Sequence, residues 1–277
     1  MTLIDGRAIA AAITAEVTET AAQLRESGTV PTLAVLVPTG DDATAWYVRS
    51  IERAAKKVGV DCRVVQLEKP TGEDVTRELD KLSADPSVHG IICQTPLPEG
   101  VTLDDVGAHI DPRKDVDGAN PVSLGRLTAG LPTYAPATAA AVLEILKREQ
   151  VALSGAQVAV VGRSTVVGKP AALLLLAENA TVTVCHSRTK DLASVTKTAD
   201  VLVVAVGRAQ FVGADHVKPG AVVIDVGTNP TPEGGLVGDV DQAVVEEIAG
   251  SITPVPGGVG PVTTSLLLRH TVTAAQS

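Results

Sequence analysis

The chain has 277 residues, of which 45% are hydrophobic, and a formal net charge of −9. Lys and Arg form no basic run, which excludes proteins that bind nucleic acid through clustered cations. Because there is no charged and apolar leader and no apolar stretch of membrane-spanning length, we expect a cytoplasmic protein without a membrane partner.

The first half of the chain alternates helical and strand patterns. Apolar residues recur near every 3.6 positions over 6–26, which predicts a helix. The β-branched run 32–38 ends at a Pro-Thr-Gly-Asp-Asp turn, which predicts a strand. The pattern continues with a helix at 43–58, a strand at 62–67, a helix at 72–85 and a strand at 88–94. Strands that alternate with helices predict a parallel sheet with ligands at the carboxyl ends of its strands.

A second α/β series follows a segment rich in turn formers. Residues 111–136 show little periodicity and are interpreted as a domain junction. The predicted elements after it are helix 139–149, strand 157–161, helix 167–179, strand 181–186, helix 192–199, strands 201–207 and 221–227, and helix 261–274. We therefore predict two α/β domains with a cleft between them, the second of them a Rossmann-like dinucleotide-binding domain.

The turn at 162–168 has the composition of a phosphate-binding loop. Its pattern, G-x-S-x-x-x-G, is one residue longer than the usual G-x-G-x-x-G. Gly162 permits a sharp turn, Ser164 offers a hydroxyl and an amide, and Gly168 allows close packing of helix on strand. The turn thus predicts a site for the phosphates of a nicotinamide dinucleotide. The alternative is an ordinary connection between a strand and a helix.

The end of the next strand favours NADP over NAD. An NAD site carries an acidic residue there for the ribose 2′-hydroxyl, but here His186-Ser187-Arg188-Thr189 follows, with no acid before Asp191. Arg163, Ser187 and Arg188 would form a pocket for a 2′-phosphate. The alternative is a solvated polar loop.

Several motifs together resemble those of the bifunctional methylenetetrahydrofolate dehydrogenase/methenyltetrahydrofolate cyclohydrolase family, and they span nearly the whole chain. The matching segments are Tyr47-Val48, Gln94-Thr95-Pro96-Leu97-Pro98, Lys114-Asp115-Val116-Asp117-Gly118, Gly162-Arg163-Ser164 with Val167-Gly168, Cys185-His186-Ser187, Ile224-Asp225-Val226-Gly227 and Thr253-Pro254-Val255-Pro256-Gly257-Gly258-Val259-Gly260-Pro261.

The resemblance implies an enzyme that passes hydride from 5,10-methylenetetrahydrofolate to NADP, giving 5,10-methenyltetrahydrofolate. It implies a folate-binding catalytic domain over 1–121 with the C-terminal helix 262–277, and an NADP-binding Rossmann-like domain over 122–261. Implied as catalytic are Tyr47, which stacks on the pterin–aminobenzoate region, Gln94 beside the reacting carbon, and Asp117 on the pterin ring. The other implied contacts are Pro256, Gly257, Gly258 and Val259 for the folate, and Gly162, Arg163, Ser164, Ser187, Arg188 and Thr228 for the cofactor.

The resemblance also implies a homodimer formed through the second domain. No His, Cys or Asp cluster has metal-ligand spacing, and the dehydrogenase chemistry needs no metal, so we predict no metal site.

One departure bears on the second activity. The family helix reads Tyr-Val-x-x-Lys, and that lysine is the catalytic group of the cyclohydrolase, which converts methenyl- to 10-formyltetrahydrofolate. Here Ile51 stands four residues after Tyr47, and an isoleucine neither transfers protons nor donates a hydrogen bond. We therefore expect the cyclohydrolase activity to be absent or strongly reduced. The alternatives are a fully bifunctional enzyme and a non-catalytic folate- or dinucleotide-binding paralogue.

Overall fold

The structure, a computed structural model, describes residues 1–40 and 42–277. Asp41, in the turn predicted after the first long strand, lies outside the described residues. The strands are β1 (Thr2–Leu3), β2 (Thr32–Val37), β3 (Asp61–Gln66), β4 (Gly90–Cys93), β5 (Gln157–Val161), β6 (Thr181–Cys185), β7 (Val201–Val204), β8 (Val222–Asp225), β9 (Asn229–Pro230), β10 (Leu236–Val237) and β11 (Ser251–Ile252). The helices are α1 (Gly6–Glu26), α2 (Asp42–Lys57), α3 (Gly72–Ala84), α4 (Leu103–Gly107), α5 (Pro121–Thr128), α6 (Ala137–Arg148), α7 (Gly168–Ala177), α8 (Leu192–Thr196), α9 (Gln242–Val245) and α10 (Val259–Ala274).

The chain divides into two compact units, which are named here by their main sheets. The six-stranded unit comprises Met1–Ala10 and Thr138–Thr263, and the three-stranded unit comprises Ala11–Ala137 and Thr264–Ser277. This division differs from the predicted boundaries mainly in two places. At the N-terminus, β1 pairs with β11 and thereby joins the first residues to the six-stranded sheet. At the middle boundary, residues 122–137, predicted for the second domain, belong to the three-stranded unit.

The six-stranded unit is built on a parallel sheet with the strand order β1-β11-β8-β7-β5-β6. Its first strand in the βαβ series, β5, pairs with β6 on one side and with β7 on the other. The chain therefore adds β6 on one side of β5 and then crosses over to add β7 on the other side. The gap between the ends of β5 and β7 is the topological switch point, where open α/β sheets bind ligands. Valine, leucine and alanine from β5, β7 and β8 fill the core beneath it.

The three-stranded unit holds a parallel sheet with the order β3-β2-β4. Its central strand β2 is buried along nearly its whole length, which explains its continuous apolar sequence. Helix α3 packs Val75, Leu79 and Leu82 into the core with β2 and β4. The predicted α/β architecture and its parallel sheets are thus confirmed.

Two local features differ from the sequence-based expectations. The segment interpreted as an irregular junction contains α5, whose first amides are capped by Asn120: Val122 N donates to Asn120 Oδ1 over 2.7 Å, and Pro121 occupies the first helical turn. Strand β7 ends at Val204 rather than at 207, because the backbone amides of 206–208 donate to a carboxylate instead of to a neighbouring strand. Among the described residues, no helix is both long and apolar enough to cross a membrane.

Candidate active site

The turn after β5 is a tight backbone crossing that only glycine permits. Gly162 has φ +131°, and a Cβ on it would lie 2.2 Å from the Ala205 carbonyl oxygen at the end of β7. A Cβ on Gly168 would lie 2.2 Å from the Gly162 carbonyl oxygen. The two glycines therefore let α7 begin directly against the turn, at the switch point of the sheet.

Ser164 organises the start of α7. Its Oγ accepts hydrogen bonds from Val167 N (3.2 Å) and Gly168 N (3.4 Å), and its carbonyl accepts one from Lys169 N (3.0 Å). Because the hydroxyl oxygen is the acceptor in the first two bonds, its hydrogen remains to donate to an incoming anion. The positive end of the helix dipole adds to this preference for negative charge.

The turn after β6 presents cations at the same edge of the sheet. Val161 of β5 pairs with Cys185 of β6, so that Arg163 and Arg188, both exposed, follow adjacent strand ends. The turn is closed by Thr189 N, which donates to the His186 carbonyl, and by Arg188 N, which donates to His186 Nδ1 over 3.1 Å.

Asp191, the first acidic residue after this turn, has a structural role at the start of α8. The Asp191 side chain accepts a hydrogen bond from Ser194 N over 3.3 Å and so caps α8. Ser187 is exposed, as is Thr228 beyond the end of β8. The predicted cofactor contacts of the six-stranded unit thus follow the carboxyl ends of β5 and β6, which are neighbours in the sheet, and of β8, which is separated from β5 by β7.

Asp117 is a carboxyl group of the three-stranded unit with a raised pKa. It is half-buried, and its Oδ1 accepts a hydrogen bond from Ala137 N over 3.0 Å. Burial raises its pKa to about 7; the Ala137 amide opposes this shift and the charge of Asp115 adds to it. The Asp117 carboxyl group therefore changes between its protonated and ionised forms around neutral pH.

Tyr47 lies close to Asp117. Burial, and then the charge of Asp117, raise the pKa of the Tyr47 hydroxyl, so that the phenol stays protonated. A side-chain hydrogen bond joins Tyr47 to Thr264 on α10, a contact that opposes this shift. The sequence analysis did not identify Thr264, because no local pattern links two residues more than 200 positions apart.

Helix α2 places Ile51 beside the tyrosine but in the core. Ile51 is 0% exposed and belongs to a buried stripe with Val48 and Ala55. The neighbouring cations point elsewhere: Arg49 and Arg53 are exposed, and Arg53 Nε donates to the Arg49 carbonyl over 3.2 Å. Neither arginine lies on the buried stripe that contains Ile51.

The other predicted folate contacts lie at chain turns. Gln94 directly follows β4 and is half-buried, and its N–H donates to the Leu36 carbonyl over 2.9 Å. In the six-stranded unit, Pro256 is exposed, and a Cβ on Gly258 would lie 2.7 Å from the Pro254 carbonyl oxygen. The structure brings Tyr47 and Asp117 together in one unit and places the 256–259 loop in the other.

Comparison with known proteins covers both units. Residues 4–117 match the model of the tetrahydrofolate dehydrogenase/cyclohydrolase catalytic domain, and residues 136–277 match that of the NAD(P)-binding domain of the same enzymes. The chain is 64% identical to the bifunctional protein FolD of Parafrankia sp. (strain EAN1pec), over 99% of both chains.

Two solved structures are also similar. The bifunctional enzyme FolD of Campylobacter jejuni has a TM-score of 0.97 and 40% identity, and the alignment covers 100% of this chain and 99% of that one. The Trypanosoma brucei methylenetetrahydrofolate dehydrogenase-cyclohydrolase, solved with NADP cofactor and an inhibitor, has a TM-score of 0.94 and 39% identity, with coverage of 100% and 97%. The chain belongs to the tetrahydrofolate dehydrogenase/cyclohydrolase family.

Proposed function

We propose that this chain is an NADP-dependent 5,10-methylenetetrahydrofolate dehydrogenase that has lost most or all cyclohydrolase activity. The observation that carries the proposal is the buried Ile51 one helical turn after Tyr47, in a chain whose phosphate-binding turn and Tyr47–Asp117 pair are both present. The six-stranded unit would hold NADP, and the three-stranded unit would supply Tyr47, Gln94 and Asp117 to the folate.

The residues at the switch point fit NADP. Gly162 and Gly168 let α7 begin directly against the turn, where the Ser164 hydroxyl would donate to a pyrophosphate. Arg163 and Arg188, both exposed, would supply charge-assisted hydrogen bonds to the 2′-phosphate, and the Asp191 carboxylate accepts a hydrogen bond from Ser194 N at the start of α8. NADP⁺ held there would supply the hydride acceptor, so that hydride from the methylene carbon would give NADPH and the methenyl cation.

The chain's own groups orient the substrate. The protonated Tyr47 presents an aromatic face and a hydroxyl held by Thr264, and ionised Asp117 accepts hydrogen bonds from the N–H groups of the pterin. The hydride step needs no proton transfer from the protein, so alignment of donor and acceptor is the main requirement. Hydrolysis of the methenyl bridge needs a proton-transferring group, which Ile51 does not provide.

The activity assay separates the two reactions. With 5,10-methylenetetrahydrofolate the purified protein is expected to reduce NADP, measured by NADPH absorbance, and its hydrolysis of methenyltetrahydrofolate is expected to be about 10²–10⁴-fold slower than this turnover. An Ile51→Lys variant should gain hydrolysis, while Ile51→Met, which keeps the volume but adds no amine, should not. Equal rates of both reactions in the wild-type protein would contradict the loss, and absence of NADPH formation would contradict the dehydrogenase.

Arg188 is expected to set cofactor selectivity. Removing a charged hydrogen bond of about 1.5–3 kcal/mol in Arg188→Ala should raise the KM for NADP about 10–100-fold and leave the KM for NAD unchanged. Lys190→Ala is the matched control, since Lys190 is exposed on the same turn and carries the same charge. Steady-state kinetics with both cofactors measure the effect. Equal changes in the two variants would refute this role for Arg188.

Because the pKa of Asp117 is raised, we expect the activity and the stability of the protein to change in opposite directions with pH. The dehydrogenase kcat/KM should rise with pH through about 7, because the ionised carboxylate is the form that accepts hydrogen bonds from the pterin. The folded-state pKa is raised above the unfolded value, so the folded protein retains a proton that the unfolded chain releases, and the free energy of unfolding falls from about pH 4 to about pH 7.

The Asp117→Asn variant tests both trends. Since Asn does not ionise, its pH–rate profile should lose the step near neutrality, and its urea midpoint should exceed that of the wild type at pH 8 but match it near pH 4. A midpoint difference independent of pH would show that Asp117 does not titrate with a raised pKa.

We further propose a homodimer formed through β6. Among the described residues, this strand pairs only with β5 and forms the edge of the sheet; it carries Val184, which is 40% exposed, and the preceding helix α7 carries Leu176, which is 59% exposed. The opposite edge is the two-residue β1, too short for extended pairing. The edge of β6 is therefore the surface best suited to a second copy of the chain.

Light scattering measures this assembly. The wild type is expected to be a dimer and Val184→Lys a monomer, because a buried lysine at a paired edge is strongly disfavoured. Val244→Lys, on the 41% exposed Val244 of α9, is the matched control and should remain dimeric. A monomeric wild type, or a dimeric Val184→Lys variant, would rule out this interface.

A further inference from the structure

Two buried carboxylates in the six-stranded unit have no part in the proposed chemistry. Asp225, the last residue of β8, is 3% exposed, and Asp239, between β10 and α9, is 0% exposed. A buried carboxylate is costly unless its oxygens are hydrogen-bonded, so the partners of these two groups indicate what they do.

Asp239 holds the segment that follows β7. Its Oδ2 accepts hydrogen bonds from Val206 N (2.6 Å) and Gly207 N (2.8 Å), and its Oδ1 accepts one from Arg208 N (2.8 Å). Asn229 Nδ2 also donates to Oδ1, over 2.9 Å. Three successive backbone amides thus converge on one side chain, in the manner of an anion-binding nest filled by the protein itself.

Asp225 in turn holds the backbone of Asp239. Asp225 Oδ1 accepts hydrogen bonds from Gly227 N (2.9 Å) and Asp239 N (3.0 Å), and Oδ2 accepts one from Val240 N (2.9 Å). Burial raises the pKa of Asp225 to about 6, a shift that the donating amides oppose, so the group is ionised at neutral pH.

The backbone at two glycines packs closely against the pair. A Cβ on Gly227 would lie 2.2 Å from Asp239 Cγ, and a Cβ on Gly238 would lie 1.8 Å from Asp225 Oδ2. The two carboxylates therefore fix three segments relative to one another: 206–208 after β7, 227–229 after β8, and 238–240. A shift of either side chain would displace the segments that bond to it.

The strand order places two of these segments beside the proposed cofactor. The 2′-phosphate would lie at the end of β6 and the pyrophosphate at the end of β5, and the sheet continues through β7 to β8. The nicotinamide end of the molecule therefore extends over the carboxyl ends of β7 and β8, which are followed by 206–208 and 227–229.

We propose that Asp239, held in place by Asp225, is a positioning residue for hydride transfer: it fixes the two segments against which the nicotinamide lies. The inference rests on the proposed dehydrogenase function. Hydride transfer depends steeply on the distance and angle between donor and acceptor, whereas the adenosine end is bound by groups that do not contact this pair.

The Asp239→Asn variant tests the proposal. An amide has one acceptor oxygen, and in either orientation its NH₂ faces two donors: Val206 N and Gly207 N, or Arg208 N and Asn229 Nδ2. We expect kcat for NADPH formation to fall about 10²-fold. The Kd of 2′,5′-ADP, a probe that contains the 2′-phosphate but no nicotinamide, should equal that of the wild type.

A matched control lies at the opposite end of the same sheet. Asp200 precedes β7, and its carboxylate accepts hydrogen bonds from Gln157 N (2.9 Å) and Lys218 Nζ (2.6 Å). Asp200→Asn is expected to lower the urea midpoint while leaving kcat at the wild-type value, which separates a general loss of stability from a loss of alignment.

Each outcome decides the question. Asp239→Asn with wild-type kcat overturns the inference, and so does equal loss of kcat and of 2′,5′-ADP binding, since the residue is then merely structural. If Asp239→Asn does not fold, Asn229→Ala, which removes one donor and leaves no amide unpaired, decides: reduced kcat with normal 2′,5′-ADP binding supports the inference and wild-type kcat overturns it. A wild-type protein that forms no NADPH contradicts the proposed function itself.

Discussion

The close approach of two backbone segments at Gly162 is the constraint on which the cofactor end of the molecule depends. With φ +131° and no side chain, Gly162 lies against the Ala205 carbonyl, so the end of β5 contacts the end of β7 directly. Any Cβ at this position would separate the strands' carboxyl ends and move the start of α7. The phosphate-binding turn and the 206–208 segment therefore depend on a single conformation that L side chains rarely adopt.

At position 51 on α2, the side chain that best stabilises the fold differs from one that could transfer protons. Burying an isoleucine side chain contributes about 1.5–3 kcal/mol, whereas a buried ammonium group is strongly disfavoured without a partner. Ile51 is 0% exposed between Val48 and Ala55 and so adds to the core of the three-stranded unit. A lysine there would have to extend its amine towards the tyrosine at a cost in packing. An isoleucine at this position is thus favourable for folding, and the proposed loss of hydrolysis would follow from the same side chain.

Periodicity and strand spacing were sufficient to predict the α/β alternation, since the signals for β2, β5 and β7 lie within each segment. These local patterns do not predict structure that depends on contacts between distant parts of the chain. The pairing of Thr2 with Ser251 assigns the N-terminus to the six-stranded unit, and no local pattern reveals it. Helix α5 is not predicted, although Asn120-Pro121 is a capping signal, because its eight residues are too short to establish a helical periodicity.

In the candidate site, too, residues that act through distant parts of the chain are not predicted from the sequence. The phosphate turn and the loop after β6 were predicted from adjacent residues, whereas Asp225 and Asp239 act through backbone amides up to 33 positions away. A carboxylate that binds amides has no sequence signature of its own. Only the fold distinguishes it from the many solvated acids of a chain with a net charge of −9.

Hydrogen-bond capacity separates the two acids of the Lys-Asp-Val-Asp-Gly motif. Asp115 is 0% exposed, and it accepts hydrogen bonds from Ala119 N (2.8 Å), Asn120 N (2.9 Å) and Ser123 Oγ (2.5 Å). Its oxygens are occupied in shaping the chain that leads into α5. Asp117 accepts one such bond among the described residues, from Ala137 N (3.0 Å), and keeps a second oxygen for a ligand. Its half-buried position and its pKa of about 7 are properties of a binding group. The geometry therefore favours Asp117 over Asp115 as the proposed folate contact, on grounds independent of the motif itself.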